Sequence, residues 1–363
     1  MIRGGNGVES TPAGIAAGIP VAEPVSPPAE VLEVLKMSRN SSLSKNLPLT
    51  RLRARSRVRG GPVGLALGGG GARGIAHVGI LEALEEYALL RPSILAGTSA
   101  GAVIAVLYAA NTPVGDIREF SSELNWFSHV VKFSDILHME EGALAGLLPN
   151  TRLGEIVEEL IGRRTFDELP RDVAVTAADI QKRRRVLFTS RRVAKRINRR
   201  ELERFLPPPR GDLPGVETLI VTDVSIGAAI RASCAVPGFF RPVQVGDMYL
   251  VDGGLVDQTP VDVVRAMGAR FSIGVSLALS FMPEKLASPT RALSGTVGML
   301  GISQLQRSLA LADIGFQVSG IQTRSPVKAH QLDLIGIARL DMEQKLERTL
   351  GKEWLRRARA HTP

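Results

Sequence analysis

Ser99 stands at the centre of "GTSAG", Gly97 to Gly101, between the apolar run "SILAG" and the small-residue run "AGAVIAVLYAAN". A serine at a sharp strand-to-helix turn needs small neighbours if its hydroxyl is to stand clear of the sheet, and the G-x-S-x-G spacing supplies them. The helix that follows aims its N-terminal amides and its dipole at the same place. The pattern predicts a nucleophilic serine at position 99, flanked by Gly97 and Gly101.

A serine hydroxyl needs a base. The histidines are His77, His129, His138, His330 and His361, and none occupies a strand-end loop. Asp252, in "YLVDGGLVDQTP", closes an apolar strand, and Gly253 and Gly254 leave space beside it. Partial desolvation there raises a carboxylate's proton affinity and makes it a more useful base. Asp-Gly is also an ordinary hairpin signal, so local pattern leaves a base and a turn equally open. Asp257, five residues on, is a weaker rival at a helix start.

The third stretch is "LALGGGGARG", residues 65–74. Glycines let a backbone turn with positive φ and let a ligand approach its amides closely. Gly69, Gly71 and Gly74 satisfy the G-x-G-x-x-G spacing of a dinucleotide loop. That fingerprint expects an acidic residue about 20 positions on, at the end of the next strand. No Asp or Glu occurs between Glu86 and Asp116, and the next strand ends in Ser99 instead. The loop amides are better explained as donors to a developing oxyanion. A Walker loop is excluded, because no Lys followed by Ser or Thr completes it.

The elements that must hold these residues follow a strand–helix alternation. "VGLAL" and "SILAG" read as buried strands, with "GIAHVGILEALEEYALL" and "AGAVIAVLYAAN" as the helices after them. This order predicts an α/β fold: three α/β/α layers around a mainly parallel sheet with right-handed crossovers. "VAVTAADI", "RVLFTS", "MYLVDGG" and "RFSIGVSLA" are further strand candidates, and "VDVVRAMGA" is a crossover helix. A helix, a strand and a charged closing helix are expected beyond them. Residues 1–60 read as a Pro/Gly/Ser-rich tail, with a possible short helix at Val31–Met37. Residues 356–363 read as a C-terminal tail. Trp126–Phe133 reads as a core helix.

The chain has 363 residues, 44% of them hydrophobic, which is enough to bury a large core. Its net charge of +9 suits either solubility or contact with anionic surfaces. Two segments concentrate that charge. Arginines occupy every second position from Arg51 to Arg59, as a mobile basic arm or a solvated linker. Residues 182–200 carry ten basic residues and no acid. Within the chain, residues 191 to about 221 read as a surface insertion. The single cysteine, Cys234, lies in small apolar surroundings as a structural thiol. Neither a secretory signal nor an apolar run of about 18 residues is apparent, so the expectation is a cytoplasmic protein or one peripheral to the cytoplasmic membrane face. No nucleic-acid-reading module is present.

"GGGARG" at 69–74, "GTSAG" at 97–101 and "DGG" at 252–254 stand in an order that resembles the patatin-like phospholipase family. "AAIRASCAVPGFFRPV", residues 228–243, resembles the family's segment before its Asp-Gly-Gly. The similarity runs from about Gly61 to Trp354 and is nearest in style to the bacterial branch related to neuropathy target esterase. The resemblance implies a Ser99–Asp252 dyad without a catalytic histidine. It implies an oxyanion hole at Gly69, Gly70 and Gly71, with Arg73 positioning that loop. Phospholipid or lysophospholipid esters are the implied substrates, with no metal or organic cofactor. The alternative is a catalytically silent or regulatory module on the same fold.

Overall fold

The computed structural model describes residues 43–123, 150–203, 206, 215–277, 304–318 and 329–359. The expectations placed on Val31–Met37, Trp126–Phe133, His129, His138 and His361 lie outside them. The described strands form one nine-stranded sheet in the order β5-β4-β3-β2-β1-β8-β9, with β7 on β3 and β6 on β7. Strands β1 (Val63–Leu67), β2 (Ile94–Thr98), β3 (Asp172–Asp179) and β8 (Phe271–Ser276) run parallel, and β9 (Ile314–Gln317) joins β8 in the same sense. Strand β4 (Arg184–Thr189) is antiparallel to β3 and parallel to β5 (Glu217–Val221). A hairpin of β6 (Val243–Val245) and β7 (Met248–Asp252) lies antiparallel on the far end of β3.

Alternation along each strand divides the interior into two cores. Val63, Leu65 and Leu67 of β1, with Val173 and Val175 of β3, enter the larger core. That core is covered by α2 (Ala76–Glu85), α3 (Ala100–Ala109), α8 (Ile226–Ser233) and α10 (Ala329–Leu350). On the other face the strand residues are small: Gly64, Ala66, Ala96, Ala174 and Gly274. A Cβ on Gly64 would come within 2.5 Å of Ala269 Cβ, and one on Gly274 within 2.5 Å of Val261 Cγ2. Small residues thus let α9 (Val261–Ala266) lie close against the sheet. The result is the three-layer α/β/α arrangement, with the third layer completed by α6 (Arg191–Arg196) and α7 (Arg199–Glu203).

Three boundaries differ from the sequence reading. First, the basic arm is part of a helix, α1 (Leu43–Arg59). Helical spacing puts Ala54 and Val58 on one buried face. Arg51 Nε donates to Arg348 O (3.1 Å) and Arg55 Nε to Leu350 O (2.7 Å), satisfying carbonyls left open at the end of α10. Second, the described residues of this segment, 191–203, 206 and 215–221, are built into the fold rather than inserted on its surface. Val193, Ile197 and Leu202 are buried in the smaller core, and β5 forms an edge of the sheet. Third, the closing helix α11 (Lys352–Arg359) runs past position 355, with Ala358 buried and Arg359 paired to Glu86.

One charged group is wholly interior. Arg185, the second residue of β4, is 1% exposed and donates from Nη1 to both Asp257 and Asp262 at 2.7 Å. Burial and the adjacent Asp262 raise the proton affinity of Asp257, against the pull of Arg185. Asp257 therefore holds its proton more tightly in the folded than in the unfolded chain, and its contribution to stability falls as pH rises. Replacing Arg185 by Met leaves two buried carboxylates without their cation. The expected loss is about 3–5 kcal/mol in urea unfolding, larger at alkaline than at mildly acidic pH.

Candidate active site

Strand β3 has two edges, and the pairing along them sets the site. Strand β4 takes one edge from Ala174 to Asp179. On the other edge β2 pairs from Asp172 to Thr176, and β7 takes over from Ala177 to Asp179. The handover puts the last residue of β2, Thr98, opposite Thr176 and the last residue of β7, Asp252, opposite Ala177. Ser99 follows Thr98. Two strands entering from opposite directions thus deliver a hydroxyl and a carboxylate to one point.

Ser99 has φ 54° and ψ −127°, in the left-handed half of the map, where a side chain is held only by the structure around it. Its carbonyl accepts from Ala102 N (2.8 Å) and Val103 N (3.3 Å), so the residue is the N-cap of α3. Gly97 and Gly101 make room for this turn. A Cβ on Gly101 would fall 2.2 Å from Leu67 O, and one on Gly97 2.5 Å from Ala102 Cα.

Asp252 is 8% exposed. Its Oδ1 accepts from Gly254 N (2.8 Å), and its own N–H donates to Ala235 O (2.9 Å). Burial raises its pKa from 3.8 to about 6, with hydrogen bonds from Gly254 N–H and the Ser99 side chain pulling the other way. The structure therefore brings Ser99 and Asp252 into contact. A Cβ on Gly253 would meet Thr176 O at 2.4 Å, so this glycine is what lets the Asp252 loop close over β3.

The glycine loop arrives from β1, whose last residue, Leu67, pairs with Gly97 of β2. A Cβ on Gly69 would lie 3.3 Å from Ser99 Cβ. The Gly69 N–H donates to Gln258 O (3.2 Å), which narrows the expected oxyanion donors to Gly70 and Gly71. Neither of those two amides donates in any hydrogen bond among the described residues. Gly71 has φ +55°, and Arg73 folds back so that both its N–H and its Nε donate to Gly70 O at 3.2 Å. Burial lowers the Arg73 pKa to about 10.

Sequence reasoning missed the residues that fasten these pieces. Ser233, the last residue of α8, accepts from Ser99 N at 2.8 Å and donates to Thr176 O at 2.7 Å. Gln258 Nε2 donates to Gly69 O (2.9 Å), so this one residue grips the loop by backbone and side chain. Thr98 Oγ1 donates to Asp257 O (2.8 Å), making Asp257 part of the frame rather than a second base. Nothing in a serine or glutamine codon position reveals such roles. The only signal was proximity to the quoted motifs. His77 is fully buried, and burial lowers its pKa to about 4, so it is neutral and its Nε2–H donates to Gly68 O (2.8 Å). Cys234 is buried beside Ser99 and Asp252, and burial together with that carboxylate pushes its thiol well above the ordinary value. Among the described residues, no cluster of His, Cys, Asp or Glu could hold a metal ion. No described helix is long and apolar enough to cross a membrane.

A hydroxyl at a glycine-flanked elbow, a carboxylate beside it and a glycine loop alongside lie within one matched segment. The family model for patatin-like phospholipase matches residues 65–265, more than half of the chain. The chain belongs to the patatin-like phospholipase family. An uncharacterized NTE family protein of Mycobacterium tuberculosis is 31% identical over 228 residues, covering 61% of this chain and 51% of that protein. A patatin-like phospholipase domain-containing protein of Caenorhabditis elegans is 30% identical over 220 residues, 59% of this chain and 13% of that one. The chain thus spans about half the length of the mycobacterial relative and a small part of the nematode one. Among solved structures, VipD from Legionella pneumophila aligns with a TM-score of 0.44 at 13% identity, over 79% of this chain and 67% of that one. The patatin-like family supports lipid hydrolase chemistry in general terms, on a mostly parallel sheet flanked by helices.

Ser233 is expected to act through the backbone of Ser99 rather than on substrate. Ser233→Ala should lower kcat on a soluble ester by about tenfold, because the buried Ser99 N–H loses its acceptor and the elbow relaxes. The accompanying stability loss should be only about 1–2 kcal/mol, measured by urea unfolding. KM should move little.

Proposed function

We propose that this protein is a serine lipid acyl hydrolase that cleaves carboxylic ester bonds of phospholipids or lysophospholipids. The observation that carries the reading is the convergence of Ser99, directly after the end of β2, and buried Asp252, at the end of β7, on adjacent residues of β3. Burial raises the Asp252 pKa to about 6. A carboxylate of that basicity is ionised at neutral pH yet takes a proton more readily than an exposed one.

In the proposed reaction Asp252 accepts the Ser99 proton as Oγ forms a bond to the ester carbonyl carbon. The carbonyl electron pair moves onto oxygen, where the unengaged N–H groups of Gly70 and Gly71 are the proposed donors. Such donors act most strongly at the stage where charge has developed, so they lower the barrier more than they tighten substrate binding. Collapse of the tetrahedral intermediate breaks the bond to the alcohol oxygen, and the alcohol leaves with the proton from Asp252. Water then attacks the acyl-serine, with Asp252 taking its proton and returning it to Ser99 Oγ. Arg73 positions the glycine loop through its two bonds to Gly70 O. The neutral His77 holds the preceding carbonyl and takes no part in proton transfer.

Two measurements test this reading. A fluorophosphonate probe should label the wild-type protein, label Asp252→Asn weakly or not at all, and leave Ser99→Ala wholly unlabelled. Labelling of Ser99→Ala at the wild-type level would place the nucleophile elsewhere. In the pH profile, kcat/KM should rise with unit slope through about pH 6 and then level off, since the ionised Asp252 is the active form. At one pH unit below that midpoint the value should be about tenfold under the plateau. Mass spectrometry of a glycerophospholipid and lysophospholipid panel identifies the ester that is cut.

A further inference from the structure

The two basic segments of this chain do not share one face. Helix α1 leads into β1 from the N-terminal end of the parallel strands, and Arg57 bonds Arg270 O, one residue before β8 begins. Arg191, Arg192 and Arg196 pair with Asp167 and Asp172, and Asp172 opens β3. All these arginines therefore lie at the end of the sheet opposite Ser99. Strand β1 alone separates the two ends by about 17 Å.

Only the first part of the 182–200 run reaches the catalytic end. Beyond Thr176 the chain of β3 continues past the end of β2, and with β4 and the β6–β7 hairpin it forms a ledge over the nucleophile. Ile180 N donates to Tyr249 O (3.1 Å), extending the pairing of Asp179 with Leu250 by one position. Residues opposite one another on antiparallel strands share a face, so Ile180 and Tyr249 are side-by-side neighbours. They are 50% and 43% exposed, large apolar groups left in water at the catalytic end of the sheet. Lys182, Arg183 and Arg241 are exposed around them. Lys182 pairs with Asp247, and Arg183 forms no ion pair among the described residues. Tyr249 is three residues from Asp252 along β7, about 10 Å.

We propose that this ledge, with Ile180 and Tyr249 at its centre and Arg183 beside them, is the surface that docks onto an anionic phospholipid bilayer. The proposal rests on the lipid-hydrolase reading for its purpose, and on apolar exposure and charge for its place. Apolar side chains beside an exposed arginine that forms no ion pair among the described residues match an anionic membrane interface, where the Tyr249 ring packs among acyl chains and the Arg183 guanidinium meets phosphate. Docking there brings the ester region of a lipid to the strand ends that carry Ser99 and Asp252. The competing patch, exposed Leu49 and Leu52 on α1, would hold the site away from the bilayer.

The test is sedimentation of the full chain with vesicles of phosphatidylcholine alone and of phosphatidylcholine with phosphatidylglycerol. It is run in a Ser99→Ala background, so that no lipid is consumed and the result is independent of catalysis. Binding should be stronger to the anionic vesicles. Arg183→Ala should weaken it by about fivefold and Ile180→Ser with Tyr249→Ser by about tenfold or more. Leu49→Ser with Leu52→Ser should leave it within about twofold. In the Ser99 background, Ile180→Ser and Arg183→Ala should keep wild-type turnover of a soluble short-chain ester, which shows that they fold. Equal binding to both vesicle types, unchanged binding by the ledge variants, or loss of binding through the α1 variants would each overturn the proposal. Failure of the fluorophosphonate test with binding intact would remove the hydrolase reading and leave the docking surface standing.

Discussion

The division of one edge of β3 between two strands is the constraint on which the site depends. Neither Ser99 nor Asp252 is positioned by its own loop. Ser99 directly follows the end of β2 and Asp252 is the end of β7, and the registers of those strands are fixed by pairing with Thr176 and Ala177, adjacent residues of β3. A slip of one residue in either strand would turn its side chains to the other face of the sheet. The buried alternation of β3, with Val173, Val175 and Ala177 in one core and Ala174 in the other, opposes such a slip. Ser233 then bolts the joint from above, accepting from the Ser99 amide while donating to the carbonyl of Thr176.

The same burial that makes the site rigid sets its electrostatics. Asp252 is shielded from water without a cationic partner, so its carboxylate is favoured less than in solution and its pKa rises to about 6. A folded pKa above the unfolded value means that ionising Asp252 destabilises the native state as pH rises from about 4 to 6. Asp257 and Asp262, a few residues on, have Arg185 between them and belong to the frame. One short segment therefore holds two kinds of buried carboxylate: Asp252, which has no cation beside it, and Asp257 with Asp262, which anchor the segment to β4 through Arg185.

How much of this could be read in advance follows from what each residue does. The convergence of Ser99, Asp252 and the glycine loop was legible because each lies in a short motif at the end of an apolar strand. The strands β1, β2, β3 and β8 were legible because burial on both faces gives short continuous apolar runs. Strand β5 was not, because it is an edge strand, "ETLIV", preceded by prolines and a basic run that mimic a surface loop. The arginines of α1 misled for a related reason. Alternate spacing suggested a mobile arm or a solvated linker, whereas Ala54 and Val58, four apart, mark the buried helical face. Ser233 and Gln258 carried no signal beyond nearness to the quoted motifs, because they act through backbone atoms of distant residues, and that depends on tertiary placement.

The motif glycines also turn out to be needed for different reasons. Gly97 and Gly101 are sites of close approach: α3 begins so near β1 and β2 that a methyl group would collide with backbone atoms. Gly70 is tight against a side chain, with Leu277 Cβ 2.8 Å from the place of its missing Cβ. Gly71 has open space around it but φ +55°, so its requirement is conformational. Only the last two belong to the amides that are free to meet a ligand. The first two bring the start of α3, and with it the positive end of the helix dipole, up to the serine. The two glycine motifs are thus two devices, one that moves a helix in and one that turns amides outward, and Ser99 stands where they meet.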